Sequence, residues 1–129
     1  MVKSVYENMP ESPMPVDLML DSGAFSAFKR KIEIDLDEYI DYALQYKDDL
    51  AAVINLDVIP GEFGRQRTPD EVEFSASQGW KNLMRMRKRG IEAVPVYHFG
   101  ERRYWLDKMI GEGFTYIGIS PAKDKTTAQ

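Results

Sequence analysis

Apolar residues in this chain fall into short runs that each stop at a polar residue, with stretches of helical spacing between them. Val16-Asp17-Leu18-Met19-Leu20 is the first run and ends at Asp21-Ser22-Gly23. Apolar runs bounded by Gly and polar residues read as short buried strands. By the same reading the second strand is Ala51 to Leu56, ending at Asp57. The third is Ile91 to Tyr97, ending at His98, and the fourth is Thr115 to Ile119, ending at Ser120-Pro121.

The segments between the strands carry helix signals. Ala24 to Lys31 predicts a short helical turn. Asp35 is an N-cap with Glu38 three residues on, as in a capping box, and Leu36, Tyr39, Ile40, Ala43 and Leu44 then recur on one face as far as about Asp49. After a loop from Pro60-Gly61 to Arg67, Thr68-Pro69-Asp70-Glu71 supplies a cap, a proline at N1 and an acid at N3. Val72, Ala76, Gly79, Trp80 and Leu83 follow on one face, and Gly90 stands at the C′ position. Glu101 to Gly111 predicts a third long helix, and Lys123 to Gln129 the start of another.

The order β-α-β-α-β-α-β predicts an α/β fold with a parallel sheet and right-handed crossovers. An open doubly wound sheet and a (β/α)8 TIM barrel both fit. A whole barrel takes about 250 residues, so 129 residues supply about half of one. Residues 1–15, with Pro10, Pro13 and Pro15, read as an irregular lead-in to a partial barrel domain over 16–129.

Composition narrows the chemistry. The chain contains no cysteine, which rules out a disulfide, a thiolate metal site or a cysteine nucleophile within it. No apolar run approaches the ~20 residues of a membrane helix, and Met1 to Pro15 has no signal-peptide pattern, so a cytoplasmic protein without membrane partners is expected. Net charge is −4 but unevenly spread. Glu33, Asp35, Asp37, Glu38, Asp41, Asp48 and Asp49 crowd one stretch, and Lys81, Arg85, Arg87, Lys88, Arg89, Arg102 and Arg103 crowd another. The plain interpretation is two solvated helix faces. The functional one is a basic patch that meets nucleic-acid phosphate.

In a parallel α/β sheet the carboxyl ends of the strands share one edge. Asp21, Asp57, His98 and Ser120 therefore converge. Each has a structural alternative. Asp21 can cap the following turn, and Ser120 can be a turn residue before Pro121. A lone histidine is more often a structural hydrogen-bonder than a catalyst. Asp57 precedes the partly apolar Val58-Ile59-Pro60, and a carboxylate desolvated there needs a partner or a ligand. The chain has no GxGxxG, P-loop, zinc-protease or GxSxG pattern.

Leu20-Asp21-Ser22-Gly23-Ala24-Phe25 resembles the DSGGF/Y segment of tRNA-guanine transglycosylases, the queuine tRNA-ribosyltransferase family. Asn55-Leu56-Asp57-Val58-Ile59-Pro60 is similar to that family's strand ending in an acid before a proline-containing loop. The helix opening at Thr68-Pro69, with Trp80 and late basic residues, is similar to the family's long helix. Val94 to Gly100 stands where the family has a strand ending in glutamine and glycine, and Phe114 to Ser120 where it has a further strand. The resemblance spans roughly residues 16–122.

The resemblance implies a barrel enzyme of the phage-type, DNA-modifying kind or a tRNA-modifying kind. Such an enzyme exchanges guanine for a 7-deazaguanine base through a glycosyl-aspartate intermediate. It implies that Asp21 assists proton transfer as the catalytic acid. Asp57 then accepts hydrogen bonds from the ring N–H and exocyclic amine of the purine. His98 replaces a glutamine at the base carbonyl, and Ile119 and Ser120 replace a glycine pair. Ser22, Gly23 and Gly100 complete the implied substrate-binding set. The family's nucleophilic aspartate and zinc-binding cysteines belong beyond Gln129, so no cofactor is expected in this chain. The expected partners are guanine or a 7-deazaguanine, tRNA or DNA, and a second copy or a complementing C-terminal half. Two alternatives stand beside this reading: a non-catalytic half-barrel that binds a purine or nucleic acid, and a barrel hydrolase with Asp21, Asp57 and His98 around a metal.

Overall fold

The structure is a computed structural model that describes residues 18–61 and 65–120. The lead-in over 1–15, the first two residues of the first expected strand and the expected helix from Lys123 lie outside the described residues. Among the described residues there are four short strands: β1 (Met19–Leu20), β2 (Ala52–Val53), β3 (Val96–His98) and β4 (Gly118–Ser120). β1 pairs with β2 in parallel, Met19 opposite Ala52 and Leu20 opposite Val53. β3 pairs with β4 in parallel, Val96 opposite Gly118 and His98 opposite Ser120. A single parallel bridge, Ile54 to Val94, links the two pairs. Neighbours thus follow chain order, and the α/β class read from the sequence holds.

The strands are shorter than the apolar runs that announce them, for identifiable reasons. Pro95 has no N–H to donate and interrupts any ladder over Ile91 to Tyr97, so β3 begins at Val96 while Val94 bonds to the β2 side, its N–H to Val53 O at 2.7 Å. Past the Ile54 bridge the β2 run gives its last carbonyl to the helix over Pro69–Lys88. Asn82 Nδ2 donates to Leu56 O at 3.0 Å, and Asn55 Nδ2 donates to Gly79 O at 2.9 Å. On the β4 side, the register puts Tyr116 and Ile117 level with Val94, whose N–H and carbonyl are both bonded to the β2 side, and with Pro95, which has no N–H. Pairing starts at Gly118, whose N–H reaches Pro95 O at 2.9 Å.

Four α-helices among the described residues follow the strands or precede them: α1 (Ala24–Arg30), α2 (Leu36–Gln45), α3 (Pro69–Lys88) and α4 (Arg103–Gly111). Gly23, at φ 76°, turns the chain from β1 into α1, and Ser22 Oγ accepts the Ala24 N–H at 3.2 Å. In α2 the Asp35 carboxylate accepts from the Asp37 and Glu38 N–H groups. Glu38 returns no bond, so only half of the expected capping box forms. The helix stops at Gln45, and a 3-10 turn over Lys47–Asp49 completes the stretch expected to be helical. α3 has the full capping box between Thr68 and Glu71, and its chain leaves through Gly90 at φ 96°. α4 begins two residues later than expected, because Glu101 closes a tight turn back onto His98 O at 3.1 Å.

The long helices run parallel to one another. Asp37 and Asp41 of α2 pair with Arg85 of α3 and with Arg89 just past its end, both at 2.8 Å, so the two helices rise together. Glu73 and Arg87 of α3 pair in the same sense with Arg102 beside α4 and with Glu112 just past it, at 2.8 and 3.2 Å. Beneath them lies one core of Leu20, Tyr39, Ile40, Ala43, Leu56, Leu83, Met86, Ile91 and Ala93. Each fully buried large side chain of this kind contributes about 1.5–3 kcal/mol relative to exposure. The core draws on β1, on Leu56 past β2, on Ile91 and Ala93 ahead of β3, and on α2 and α3.

Candidate functional site

Parallel pairing sends the chain off β1 and β2 at the same edge. Asp21 follows Leu20 directly, and Asp57 lies just beyond the residues of β2. Between these exits stands Tyr39 of α2. Its hydroxyl donates to Ile54 O at 2.5 Å and lies 3.3 Å from Leu20 O, clasping the ends of both strands. Burial, then the nearby charges of Asp21 and Asp57, hold the phenol pKa well above its ordinary value. The phenol therefore remains a donor, and both carboxylates are near enough to be felt at one point.

The β3 end adds the densest polar contact. His98 Nε2 lies 3.0 Å from Asp57 Oδ2, and His98 Nδ1 lies 2.9 Å from Glu101 Oε2. Glu101 Oε1 also accepts the His98 backbone N–H at 3.3 Å, so one carboxylate grips the histidine twice. The turn that brings Glu101 back has Gly100 at φ 103°, a conformation that disfavours a side chain. Tyr97 Oη donates to Glu101 O at 2.8 Å and fixes the same turn. The Glu101 side chain is 6% exposed, that of Asp57 19% and that of His98 22%. Burial opposes charge on the ring. The hydrogen bonds to Asp57 and Glu101, and their negative charge, outweigh burial and raise the His98 pKa to about 9.

Two cavities meet at Asp57. The smaller one, about 20 Å³, lies between Asn55, Ser75, Trp80, His98, Glu101 and Trp105 and has room for a water. Asn55 Oδ1 is buried there without a hydrogen-bond partner, which suits that water. The open one is a groove of about 300 Å³ between α1, the segment after it and the β2 end. Ala27, Phe28, Ile34 and Val58 give it apolar walls, and Glu33 and Asp57 supply charge, both negative. Its size reaches the lower end of ligand sites. Asp57 Oδ2 is committed to His98, while Oδ1 has no hydrogen bond to a described residue.

Of the residues singled out in the sequence, the structure joins Asp57 directly to His98 and sets Asp21 near the same tyrosine. Asp21 caps nothing, because Ser22 takes that role with its hydroxyl. Gly23 and Gly100 shape turns. Ser120 pairs with His98 across β3–β4, and its carbonyl accepts the Phe99 N–H at 3.0 Å. Asp21, Ser22, Gly23, His98, Gly100 and Ser120 are not on the groove wall. Sequence reasoning passed over Glu101 and Tyr39. The signal for Glu101 is an acid three residues after a histidine with a glycine between them. Tyr39 gave no signal beyond its place on the apolar face of α2.

Several alternatives can be weighed on this geometry. Among the described residues no group of three His, Asp or Glu side chains is arranged to hold a metal ion. Both ring nitrogens of His98 face carboxylates, which leaves the ring no lone pair for a metal. The basic run on α3 is also largely spoken for. Arg85 and Arg89 face Asp37 and Asp41, and Arg87 faces Glu112. Among the described residues no helix is long and apolar enough to cross a membrane. Comparison with protein-family models, with curated proteins and with solved structures finds no match to this chain.

Proposed function

We propose that the chain forms the base-binding half of a (β/α)8 enzyme that exchanges guanine for a 7-deazaguanine base in tRNA or DNA. The observation that carries this reading is Asp57, half-buried at the meeting of a ligand-sized groove and the strand ends, with one oxygen held by His98 and the other uncommitted. A guanine edge offers adjacent N–H donors, and a carboxylate is the acceptor that suits them. Asp21, one strand over and exposed, is the group for proton transfer to or from the base. The apolar groove walls would cover the flat faces of a base taken out of the stack. Parallel strands in chain order under parallel helices support the half-barrel, since successive right-handed crossovers in one direction lay all helices on one face. The resemblance of Leu20 to Phe25 to the transglycosylase segment supports the choice of reaction. The nucleophile that would form the glycosyl-aspartate is not among the described residues on this reading.

The test is thermal unfolding of the chain with and without saturating 7-deazaguanine. A ligand at about 100 times its dissociation constant adds ~2.7 kcal/mol. The expected outcome is a raised transition for the wild type and none for Asp57→Asn, whose neutral amide no longer offers an anionic acceptor. A wild-type transition indifferent to the base would remove the purine assignment.

A further inference from the structure

We propose that His98 is a positioning residue, held as an imidazolium between Glu101 and Asp57, which keeps the Asp57 carboxylate in one orientation with its second oxygen left for a ligand. The geometry begins with donors and acceptors. An ionised carboxylate only accepts hydrogen bonds, and a neutral imidazole has one N–H. Both ring nitrogens here stand within 3.0 Å of carboxylate oxygens, so both bonds form only if the ring carries both protons. Glu101 is placed for this role. It sits on a turn closed by its own N–H to His98 O, and its two oxygens take the backbone N–H and the ring Nδ1 of His98. Glu101 therefore sets the ring direction, and the ring sets Asp57.

The surroundings favour the same protonation. The groups facing the ring with charge are Asp57 and Glu101, both acids. The α3 and α4 residues on the adjoining cavity, Ser75, Ala76, Gly79, Trp80, Leu83, Trp105 and Met109, are uncharged. Tyr39, whose hydroxyl is bonded to Ile54 O and Leu20 O, feels the charges of both Asp57 and Asp21. With a proton on each ring nitrogen the three groups carry a net charge of −1, and that charge is delivered at Asp57 on the groove wall. Glu101 thus acts on the groove without touching it. This inference rests on the purine-site reading of Asp57.

His98 is the only histidine in the chain, so its ring can be followed without assignment. Long-range ¹H–¹⁵N correlation of the imidazole across pH 6 to 10 reads its protonation directly. The expected result is an imidazolium at pH 7.5 that titrates near 9, with a clearly lower midpoint in Glu101→Gln. A neutral tautomer at pH 7.5 in the wild type overturns the proposal, and this measurement needs no variant to fold. Calorimetric titration with 7-deazaguanine is the second arm. His98→Gln and Glu101→Gln are expected to bind it at least about tenfold more weakly than the wild type at pH 7.5. Wild-type affinity is expected to fall as the ring loses its proton above pH 9. Variants that stay folded and bind as tightly as the wild type overturn the positioning role alone. A wild type that does not bind the base overturns the purine reading and, with it, this role.

Discussion

At the scale of the residue, the site depends on how three ionisable side chains share two protons. His98 gains its partners on folding, and its pKa rises from 6.5 to about 9. Its contribution to stability is therefore fully present below about pH 6.5 and is lost as pH rises through 9. Each pKa unit corresponds to about 1.4 kcal/mol, so on the order of a few kcal/mol should drain away across that window. Unfolding midpoints measured from pH 6 to 10 are expected to fall in the wild type and to stay nearly level in His98→Gln over the same range. Parallel slopes in the two proteins would show that the ring is not charged in the native state. Tyr39 makes the second residue-scale argument. Tyr39→Phe keeps the ring in the core and removes only the donor beneath β1 and β2. The expected loss is about 1–2 kcal/mol in urea unfolding, the cost of stripping the partner from a buried carbonyl. A neutral outcome would mean that water replaces the hydroxyl at the strand ends.

At the scale of the element, α3 is where local sequence and structure agree most fully. Thr68 Oγ1 accepts the Glu71 N–H at 3.2 Å, and Glu71 Oε1 accepts the Thr68 N–H at 2.9 Å. Arg65 grips the same glutamate at 2.6 Å, and with the Thr68 N–H lowers its pKa to about 2. Thr68→Ala is expected to cost about 1 kcal/mol in equilibrium unfolding, with no change in the His98 titration. A much larger loss would show that the loop before α3 depends on the cap as well. Helix starts were legible because a cap is a local code: Thr-Pro-Asp-Glu states its conformation within four residues. Strand lengths were not, because laddering depends on what lies opposite. Nothing local to Leu56 announces that Asn82 will take its carbonyl, and the bonding of Val94 away from β4 is a matter of neighbours. The same distinction runs through the site. Asp57 and His98 were readable as strand ends. Their direct bond was not, because 41 residues separate them and only the parallel register sets them side by side. Glu101 was masked by its place at the expected start of α4, where an acid looks like an ordinary first-turn residue.

At the scale of the whole molecule, the two strand pairs touch through a single bridge, and what joins them is the core and the helix layer above it. The cluster takes Leu20 from β1, Leu56 from past β2, and Ile91 and Ala93 from the segment that leads into β3. The exposed ion pairs of α2 with α3, about half accessible at Asp37 and Arg85, add little to this, since such pairs are typically worth about 0–1 kcal/mol. They do explain the uneven charge of the sequence. Acids of one helix and bases of the next are set apart along the chain and neutralise each other in space. If apolar burial is the link, the chain should unfold as one unit despite its thin sheet. Trp80 and Trp105, 6.5 Å apart between α3 and α4, report on the β3 side, while far-UV circular dichroism reports on all the helices. Their urea transitions are expected to coincide in the wild type. Leu83→Ala removes a side chain that is 1% exposed from the centre of the shared cluster, and a loss of about 2–5 kcal/mol is expected. Because Leu83 also lines the cavity beside His98, both probes should move together in that variant. A fluorescence midpoint that shifts while the helix signal stays would divide the molecule at the Ile54–Val94 bridge. Asp57 would then sit on a boundary between two units rather than within one.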